Sequence, residues 1–313
     1  LYLIVIRVLI TGGAGFIGTN LANKLIHDGY EVIIIDDLSS GYRESIHDKA
    51  IFVEGSIVDD LALSKCFEYN PDYVIHLAAL FANQNSVDHP DLDLNINGLG
   101  TIKVLDWCHK NGVSKVVYAS SSCVYGDKKL MSESDEDFHP DTPYAITKLL
   151  GERYAQFWSK HHNLNIASVR LFNVYGPGDF PGAYRSVLPN FIKLAIDNEP
   201  LVITGTGEET RDFCYIDDTV NGICLVLFGK TNPGSIFNIA TGNKTSIIKI
   251  ANYINVNCNN KAGIVFKDKR DWDCVMHRKA DISKINSLLG YSANTHIKNG
   301  IKNTCDWLMK INS

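Results

Sequence analysis

The chain has 313 residues, of which 45% are hydrophobic and 21% charged, so it can bury a substantial core in one large domain or two closely joined ones. A formal net charge of −5 and an isoelectric point near 6.1 provide no basic field, which argues against nucleic acid as a partner. The eight cysteines lack CxxC spacing. This pattern disfavours a disulfide framework or a zinc site and favours a reduced, cytoplasmic protein.

The apolar opening of the chain, residues 1–10, is too short for a membrane span, is interrupted by Arg7 and runs into a glycine-rich loop. A buried parallel strand explains it better, and we expect no membrane association. Scattered His and Cys residues show no recurring ligand spacing, so no metal site is expected either.

Short runs rich in Val and Ile alternate with amphipathic stretches over the first half of the chain. The runs predict strands at 8–10, 31–35, 51–53, 73–77, 115–119 and 166–171. The stretches between them predict helices that include 15–28, 61–69, 97–110 and 144–161. This alternation indicates an α/β fold with a doubly wound parallel sheet of the Rossmann type, which binds ligands at the carboxyl ends of its strands.

After about residue 173 the alternation loosens, and glycine and proline punctuate the chain more often. Residues 212–228 again have the pattern of a strand end followed by a helix. We therefore expect a Rossmann domain of residues 1–175, which also takes in 212–240. Residues 176–211 and 241–313 are expected to form a smaller, interleaved α/β substrate lobe.

A glycine fingerprint follows the first predicted strand and opens the first predicted helix. Gly12, Gly15 and Gly18 have GxxGxxG spacing, and the same loop also satisfies GxGxxG. Such glycines permit a tight turn against a pyrophosphate at a helix N-terminus. Asp36 ends the second strand, where a carboxylate can bond both ribose hydroxyls of NAD and repel the extra phosphate of NADP. The competing interpretations are a glycine-rich turn without a ligand and a carboxylate that caps a loop.

Tyr144 and Lys148 lie one helical turn apart, downstream of a serine-rich strand end at 118–126. A tyrosine and a lysine at this spacing are usually a packed ring beside a solvated ammonium. Together with the glycine fingerprint they instead favour oxidation of an alcohol by a nicotinamide cofactor. Tyr144 can act as the base when the Lys148 ammonium and the positive nicotinamide ring favour loss of its proton.

Six segments carry a resemblance to a known family: TGGAGFIG at 11–18, the serine-rich strand end, the YxxxK pair, RLFNVYGP at 170–177, TRDF at 210–213, and RDWD at 270–273 followed by AD at 280–281. The chain resembles the extended short-chain dehydrogenase/reductase family that acts on nucleotide sugars. Within it, the chain is most similar to UDP-hexose 4-epimerases. The resemblance spans nearly the whole chain and keeps the order of the motifs.

The resemblance implies NAD as cofactor and a UDP-sugar or other nucleotide sugar as substrate. The implied catalytic residues are Tyr144, Lys148 and Ser121. The implied NAD contacts are Gly12, Gly15, Phe16, Ile17, Gly18, Asp36, Ser56, Ile57, Ala78, Asn97, Tyr144 and Lys148. The implied substrate contacts are Phe81, Ser121, Asn173, Val187, Arg211, Arg270 and Asp273.

Each implied role has a chemical basis. Ser121 would bond the reacting hydroxyl, although a strand-end serine can also satisfy backbone groups. Asn173, Arg211 and Arg270 would contact the diphosphate, since the planar guanidinium binds two oxygens together. Both arginines could instead form surface ion pairs with the aspartates that follow them. Asp273 would hold the uridine ribose.

The residues after Ser121 bear on the reaction. Family members oxidise the sugar at C4, and dehydratases then use an Asp-Glu pair where this chain has Ser122 and Cys123. A thiol and a serine are poor substitutes, so dehydration is disfavoured, and UDP-glucuronate decarboxylation is a weaker option. A 4-epimerase needs no further acid or base, because the ketone turns over and takes back the same hydride. The alternative of another class is a non-catalytic module that senses dinucleotide.

The identity of the sugar stays open at this stage. Galactose-type epimerases often carry a Lys near the position of Phe81, and this chain departs from that pattern. Either His277 or Arg278 could line the sugar pocket. UDP-glucose, UDP-galactose and their N-acetylamino forms are all compatible. The resemblance also implies a homodimer, in which helices corresponding to 91–110 and 144–161 form a four-helix bundle between subunits.

Overall fold

The computed structural model describes residues 5–81, 83–269 and 275–312. Its strands are β1 (Arg7–Thr11), β2 (Glu31–Asp36), β3 (Ile51–Glu54), β4 (Tyr73–His76), β5 (Lys115–Ser121), β6 (Ile166–Leu171), β7 (Val174–Tyr175), β8 (Leu201–Thr204), β9 (Thr210–Arg211), β10 (Cys214–Tyr215), β11 (Ser235–Ile239), β12 (Thr245–Ser246) and β13 (Ile264–Lys267).

The helices are α1 (Phe16–His27), α2 (Asp60–Phe67), α3 (Asn83–Asp88), α4 (Pro90–Asp93), α5 (Thr101–Lys110), α6 (Pro143–His162), α7 (Val187–Ile196), α8 (Ile216–Phe228), α9 (Ile247–Asn257), α10 (Ser283–Leu289) and α11 (Ile297–Asn312). A π-helical segment, Leu94–Gly100, joins α4 to α5, and short 3₁₀ turns lie at Arg43–Ser45 and Ser122–Tyr125.

A seven-stranded sheet has the order β11-β6-β5-β4-β1-β2-β3. β1 pairs in parallel with β2 on one side and with β4 on the other, so the strand order reverses at β1. This reversal places the loop after β1 at the switch point where such sheets bind ligands. The predicted Rossmann-type α/β fold is confirmed, and each predicted strand and helix is present within a few residues of its predicted bounds.

The sheet forms because its strands are apolar on both faces and are covered by amphipathic helices. Leu9, Ile33 and Val116 are fully buried and belong to one core cluster with residues of α2 and α5 such as Leu63 and Leu105. Burial of such side chains stabilises the fold by roughly 1.5–3 kcal/mol each. None of the helices in the described ranges combines the length and the apolar character that a bilayer span requires.

The chain divides into two compact units. Unit 1 consists of Leu1–Ser121, Pro143–Arg170 and Val220–Phe237, and unit 2 of Ser122–Thr142, Leu171–Thr219 and Asn238–Ser313. The chain therefore enters unit 2 three times. One of these entries, Ser122–Thr142, lies within the span that the sequence analysis assigned to the Rossmann domain.

Candidate active site

The loop between β1 and α1 is built from glycines that have no room for a side chain. Gly12 has a φ of +72°, and a Cβ there would lie 2.7 Å from the backbone nitrogen of Ala78. A Cβ on Gly18 would lie 2.3 Å from the carbonyl oxygen of Gly12. The loop therefore depends on glycine for both its backbone conformation and its tight packing.

The same loop fits the pyrophosphate of a dinucleotide. Gly15 is the N-cap of α1, where no side chain of the described residues caps the helix and its first turn carries no acidic residue. The first amides of α1 and the positive end of its dipole are thus available to an anion. Phe16 and Ile17, both partly exposed, are the first residues of this helix.

Asp36 lies at the end of β2 beside the glycine loop. One carboxylate oxygen accepts a hydrogen bond from the backbone nitrogen of Ala14 at 3.0 Å, and the other accepts one from that of Leu38 at 2.9 Å. Burial raises the pKa of Asp36, and the two backbone hydrogen bonds oppose this shift. Each oxygen keeps acceptor capacity for a ribose hydroxyl, so the residue suits the adenosine ribose of NAD.

The remaining predicted cofactor residues follow the neighbouring strands. Ser56 and Ile57 lie between β3 and α2, and Ile57 is buried. Ala78 follows β4, and its backbone nitrogen donates to the hydroxyl of Thr11 at 3.1 Å. The buried Asn97 side chain accepts from the nitrogen of Leu80 at 2.8 Å, so it also holds the chain that follows β4.

Tyr144, Lys148 and Ser121 are brought to one end of the sheet. Tyr144 and Lys148 lie in the first turns of α6, and Ser121 is the last residue of β5. The Lys148 Nζ donates to the carbonyl oxygen of Ala119 at 3.0 Å and lies 5.7 Å from the centroid of the Tyr144 ring. All three side chains are buried, with exposures of 7%, 3% and 8% for Tyr144, Lys148 and Ser121. The geometry supports a proton relay shielded from water.

The Lys148 ammonium is destabilised by its surroundings. Burial lowers its pKa to about 8, while the negative charge of Asp93 raises it. Asp93 is itself fully buried and accepts hydrogen bonds from the Thr147 hydroxyl at 2.6 Å and from the Asn97 amide at 2.7 Å. This carboxylate, which the sequence analysis did not single out, therefore favours the charged form of Lys148.

A second buried carboxylate lies one helical turn beyond Lys148. Glu152 forms a bidentate pair with Arg170, with the Nε at 2.8 Å from Oε1 and the Nη2 at 2.7 Å from Oε2. The hydroxyl of Ser120 donates to the same Oε1 at 2.5 Å. The network joins α6 to β5 and β6 one helical turn from Lys148.

His76 lies at the end of β4 in a chain of buried hydroxyl groups. Its Nδ1 lies 2.7 Å from the Thr11 hydroxyl and its Nε2 lies 3.0 Å from the Thr101 hydroxyl. Burial lowers the pKa of His76 to about 3, so its imidazole is neutral at physiological pH. Its two contacts link the end of β4 to the end of β1 and the start of α5. A neutral imidazole in this position is not a candidate acid.

Phe81 is half exposed, and its ring meets the Tyr144 ring edge-on at a centroid distance of 5.9 Å. Ser121 ends the first segment of unit 1, and the remaining predicted substrate residues that the structure describes lie in unit 2. Asn173 has a φ of +25°, and its side-chain oxygen is buried without a hydrogen-bond partner among the described residues. A buried acceptor in this state suits a ligand that brings a donor or an ordered water.

Val187 begins α7 and is partly buried. Arg211 lies in β9 and donates to the carbonyl oxygen of Thr210 at 3.0 Å. Arg270 and Asp273 lie outside the described residues.

His277 and Arg278 have different environments within unit 2. The His277 Nδ1 lies 3.0 Å from the Thr210 hydroxyl, next to an isolated bridge between these two residues. Arg278 is buried, and its Nη1 lies 3.3 Å from the sulfur of Cys123. Arg278 therefore places a cation beside the residue that occupies the position of the dehydratase carboxylate.

No cluster of three or more His, Cys, Asp or Glu side chains that could hold a metal ion occurs in the described part of the chain.

Residues 8–240 match the family model described as "NAD dependent epimerase/dehydratase family". This chain belongs to that family. The span includes the glycine loop, Asp36, Ser121 and the Tyr144–Lys148 pair.

Known relatives within the family carry more than one activity. UDP-glucose 4-epimerase of Mycolicibacterium smegmatis is 36% identical over 77% of this chain and 79% of its own length. UDP-N-acetyl-alpha-D-glucosaminuronate decarboxylase of Bacillus cytotoxicus is 31% identical over 97% of this chain and 98% of its own. The crystal structure of UDP-glucose 4-epimerase from Thermotoga maritima, solved with UDP-glucose, has a TM-score of 0.94 at 32% identity and covers 98% of this chain and 100% of that one.

The comparisons confirm the family and the NAD cofactor that the resemblance implied. They leave two activities of the family open, epimerisation and decarboxylation. The roles of individual site residues stay predictions.

Proposed function

We propose that this protein is an NAD-dependent nucleotide-sugar 4-epimerase that acts on UDP-glucose and UDP-galactose or on their N-acetylamino forms. The observation that carries the proposal is the buried arrangement of Tyr144, Lys148 and Ser121, followed by Ser122 and Cys123 in place of a carboxylate pair. Relatives named UDP-glucose 4-epimerase support the same assignment.

In this proposal separate sets of residues are assigned to the cofactor and to the nucleotide of the substrate. The glycine loop, the first amides of α1 and Asp36 bind NAD. When bound, NAD supplies a nicotinamide that takes a hydride from C4 of the sugar and returns it. Asn173, Arg211, Arg270 and Asp273 are assigned to the diphosphate and the uridine ribose.

The chain's own residues move the proton. The Tyr144 phenolate accepts the proton of the C4 hydroxyl, and the buried Lys148 ammonium stabilises the phenolate by its charge. Ser121 donates a hydrogen bond to the C4 oxygen and orients it. The same phenol returns the proton once the sugar has presented its other face. Ser122 and Cys123 provide no carboxylate to withdraw the C5 proton, so the C4 ketone has no competing elimination route.

The experiment that tests this function is incubation with UDP-glucose, UDP-galactose, UDP-N-acetylglucosamine and UDP-glucuronate, with products resolved by NMR. We expect a C4 epimer from at least one hexose and no loss of water. A 4-keto-6-deoxy sugar would show a dehydratase instead, and no conversion of any substrate would favour a module that only senses dinucleotide.

Decarboxylation is the second candidate, favoured by one observation. Cys123 lies two residues beyond Ser121, and the Arg278 guanidinium is buried beside it. This guanidinium offers a cation to an acidic substituent of the sugar. Loss of CO₂ from a 4-keto hexuronate also requires less help from protein acids than dehydration does. In the NMR experiment this activity would convert UDP-glucuronate into a UDP-pentose with release of CO₂.

The proposed relay predicts a pH dependence. Lys148 is charged below its pKa of about 8 and loses its proton as the pH rises through that value. We therefore expect kcat/KM for epimerisation to fall on the alkaline side of about pH 8. Asp93→Asn removes the charge that favours the ammonium, so the falling limb should move to lower pH. Profiles of kcat/KM from about pH 6 to about pH 10 measure both effects.

Asp59→Asn is a matched control, because the Asp59 side chain caps α2 by accepting a hydrogen bond from the backbone nitrogen of Leu61, at the start of a helix that does not carry the relay residues. Its alkaline limb should stay at the wild-type position. An Asp93→Asn profile that coincides with the wild type would remove Asp93 from the proposal.

A homodimer is part of the proposal, and exposed apolar side chains on the expected helices support it. Leu94 of the π-helical segment and Ile146 of α6 are 55% and 54% exposed, and Leu99 and Phe157 of the same two segments are exposed as well. Leu94 and Leu99 lie about one turn apart in the π-helical segment, and Ile146 and Phe157 lie about three turns apart in α6. Each pair therefore lies on one face of its own helix. Exposed apolar side chains grouped in this way are typical of a subunit interface.

Ile146→Glu together with Leu94→Glu is expected to shift the protein from dimer to monomer, because two charges per subunit would have to be buried. Analytical ultracentrifugation over a range of concentrations measures the change. The matched control is Val256→Glu, an apolar residue of α9 that is 80% exposed, and it should leave the dimer intact. A wild-type protein that is monomeric throughout would contradict the assembly.

A further inference from the structure

Cys258 and Cys305 lie on two helices of unit 2 that pack together. Cys258 directly follows α9, and its backbone nitrogen donates to the carbonyl oxygen of Ile254 at 2.9 Å. Cys305 lies in the middle of α11, which contacts α9. The two residues are 47 positions apart in the sequence, so only the tertiary structure brings them together.

Both cysteines continue the buried apolar stripe of their helix. Cys258 comes one turn after Ile254, which is fully buried, and Cys305 comes one turn after Ile301, which is also fully buried. Side chains four residues apart lie on the same helix face. This register places the two thiols on the faces by which α9 and α11 pack together.

The two thiols influence each other's ionisation, and they differ in access to solvent. Cys258 is partly exposed, whereas Cys305 is fully buried. The hydrogen bond from Cys305 lowers the pKa of Cys258. The hydrogen bond with Cys258 and burial together raise the pKa of Cys305. The partly exposed Cys258 thiol is thus the one that ionises first and meets a reagent from solution.

We propose that Cys258 and Cys305 are a thiol–disulfide modification site, in which a small-molecule disulfide oxidises the pair to a cross-link between α9 and α11. The Cys258 thiolate attacks one sulfur of the reagent and expels the first thiolate, which leaves a mixed disulfide. Cys305 then gives up its proton, attacks the Cys258 sulfur and expels the second thiolate. Two protein thiols are oxidised, and one small disulfide is reduced to two thiols.

The geometry favours this exchange over a lasting adduct. Thiols held on two helices that already pack together need little backbone movement to reach bonding distance. The buried resolving thiol is adjacent, so the mixed disulfide is short-lived. The disulfide between Cys258 and Cys305 would close a long loop of unit 2 and thereby restrict the unfolded chain.

The test is incubation of the full chain with excess oxidised glutathione, followed by an acid quench, alkylation, intact mass measurement and peptide mapping. We expect a loss of two hydrogens, a cross-linked peptide pair that contains Cys258 and Cys305, and a rise in Tm of roughly 5–10 °C. Dithiothreitol should reverse all three changes.

The variant that tests the site is Cys258→Ser, because a partly exposed position tolerates the change better than the buried Cys305. It should lose the cross-link and the rise in Tm, and Cys258→Ala should behave in the same way. Cys224→Ser is the matched control, since Cys224 is another partly buried thiol, on α8, and this variant should behave as the wild type does. A stable glutathione adduct on Cys258 without the cross-link, or a cross-link that survives in Cys258→Ser, would overturn the proposal.

Discussion

Tyr144→Phe is expected to reduce kcat for epimerisation by about 10²–10⁴-fold, since it removes the oxygen that accepts and returns the C4 proton. The ring itself stays, so its edge-on contact with Phe81 and its burial on α6 are kept. NAD content should also stay at the wild-type level, because the glycine loop and Asp36 are unchanged. NMR progress curves measure turnover, and the absorbance spectrum and mass of the isolated protein measure the bound cofactor.

The matched control is Tyr154→Phe on the same helix. Tyr154 is partly buried and packs against Trp158 with a centroid distance of 5.8 Å, and it follows both Tyr144 and Lys148 in the sequence of α6 by more than one helical turn. Its kcat should stay within about twofold of the wild type. If Tyr144→Phe kept full turnover, the proton relay would have to be assigned to another group.

Glu152→Gln is expected to cause the largest loss of stability. The side chains of Glu152 and Arg170 are 2% and 1% exposed, and the change leaves the guanidinium buried without its counter-charge. Removing one partner of a buried ion pair costs about 3–5 kcal/mol in the free energy of unfolding. Thermal unfolding followed by circular dichroism should show a Tm lower by roughly 10 °C.

A surface pair provides the control for this prediction. Lys302 and Asp306 of α11 form an ion pair at 2.5 Å, but their side chains are 62% and 50% exposed. Asp306→Asn should therefore cost less than about 1 kcal/mol. The double variant Glu152→Gln with Arg170→Met should recover part of the loss, because no charge is then buried alone. A single Glu152→Gln variant as stable as the wild type would show that the pair contributes no net stability.

The same variant links stability to the site. Glu152 accepts from Ser120, which precedes Ser121 in β5, and it lies one turn after Lys148 in α6. Loss of the network should also disturb the relay, and this effect differs from that of Tyr144→Phe because it appears together with a lower Tm.

Much of the fold could be predicted from the sequence because the relevant signals are local. The alternation of Val- and Ile-rich runs with amphipathic stretches predicted β1 to β6, and the glycine spacing predicted the turn before α1. Gly12 and Gly18 carry information in their identity alone, since the loop leaves no space for a Cβ. A Tyr and a Lys four apart on a helix are equally visible in a linear chain.

Other parts of the site depend on contacts between distant residues. Nothing near Asp93 in the sequence indicates that its carboxylate bonds Thr147 and influences the pKa of Lys148. Arg170 lies in a segment that carried the family resemblance, yet its partner Glu152 was not predicted. The sequence left open whether His277 or Arg278 lines the sugar pocket, and nothing in it indicated that Arg278 contacts Cys123 within unit 2.

The sequence by itself determined the α/β fold class, the family and the NAD cofactor, because backbone periodicity, glycine conformation and short motifs act within a few residues. The tertiary structure alone decided which charges and thiols lie near each other, as with Asp93 and Lys148, Glu152 and Arg170, or Cys258 and Cys305. Burial is the physical reason for the difference. The strength of a charge or the reactivity of a thiol depends on how much water its neighbours exclude, and those neighbours come from distant parts of the chain.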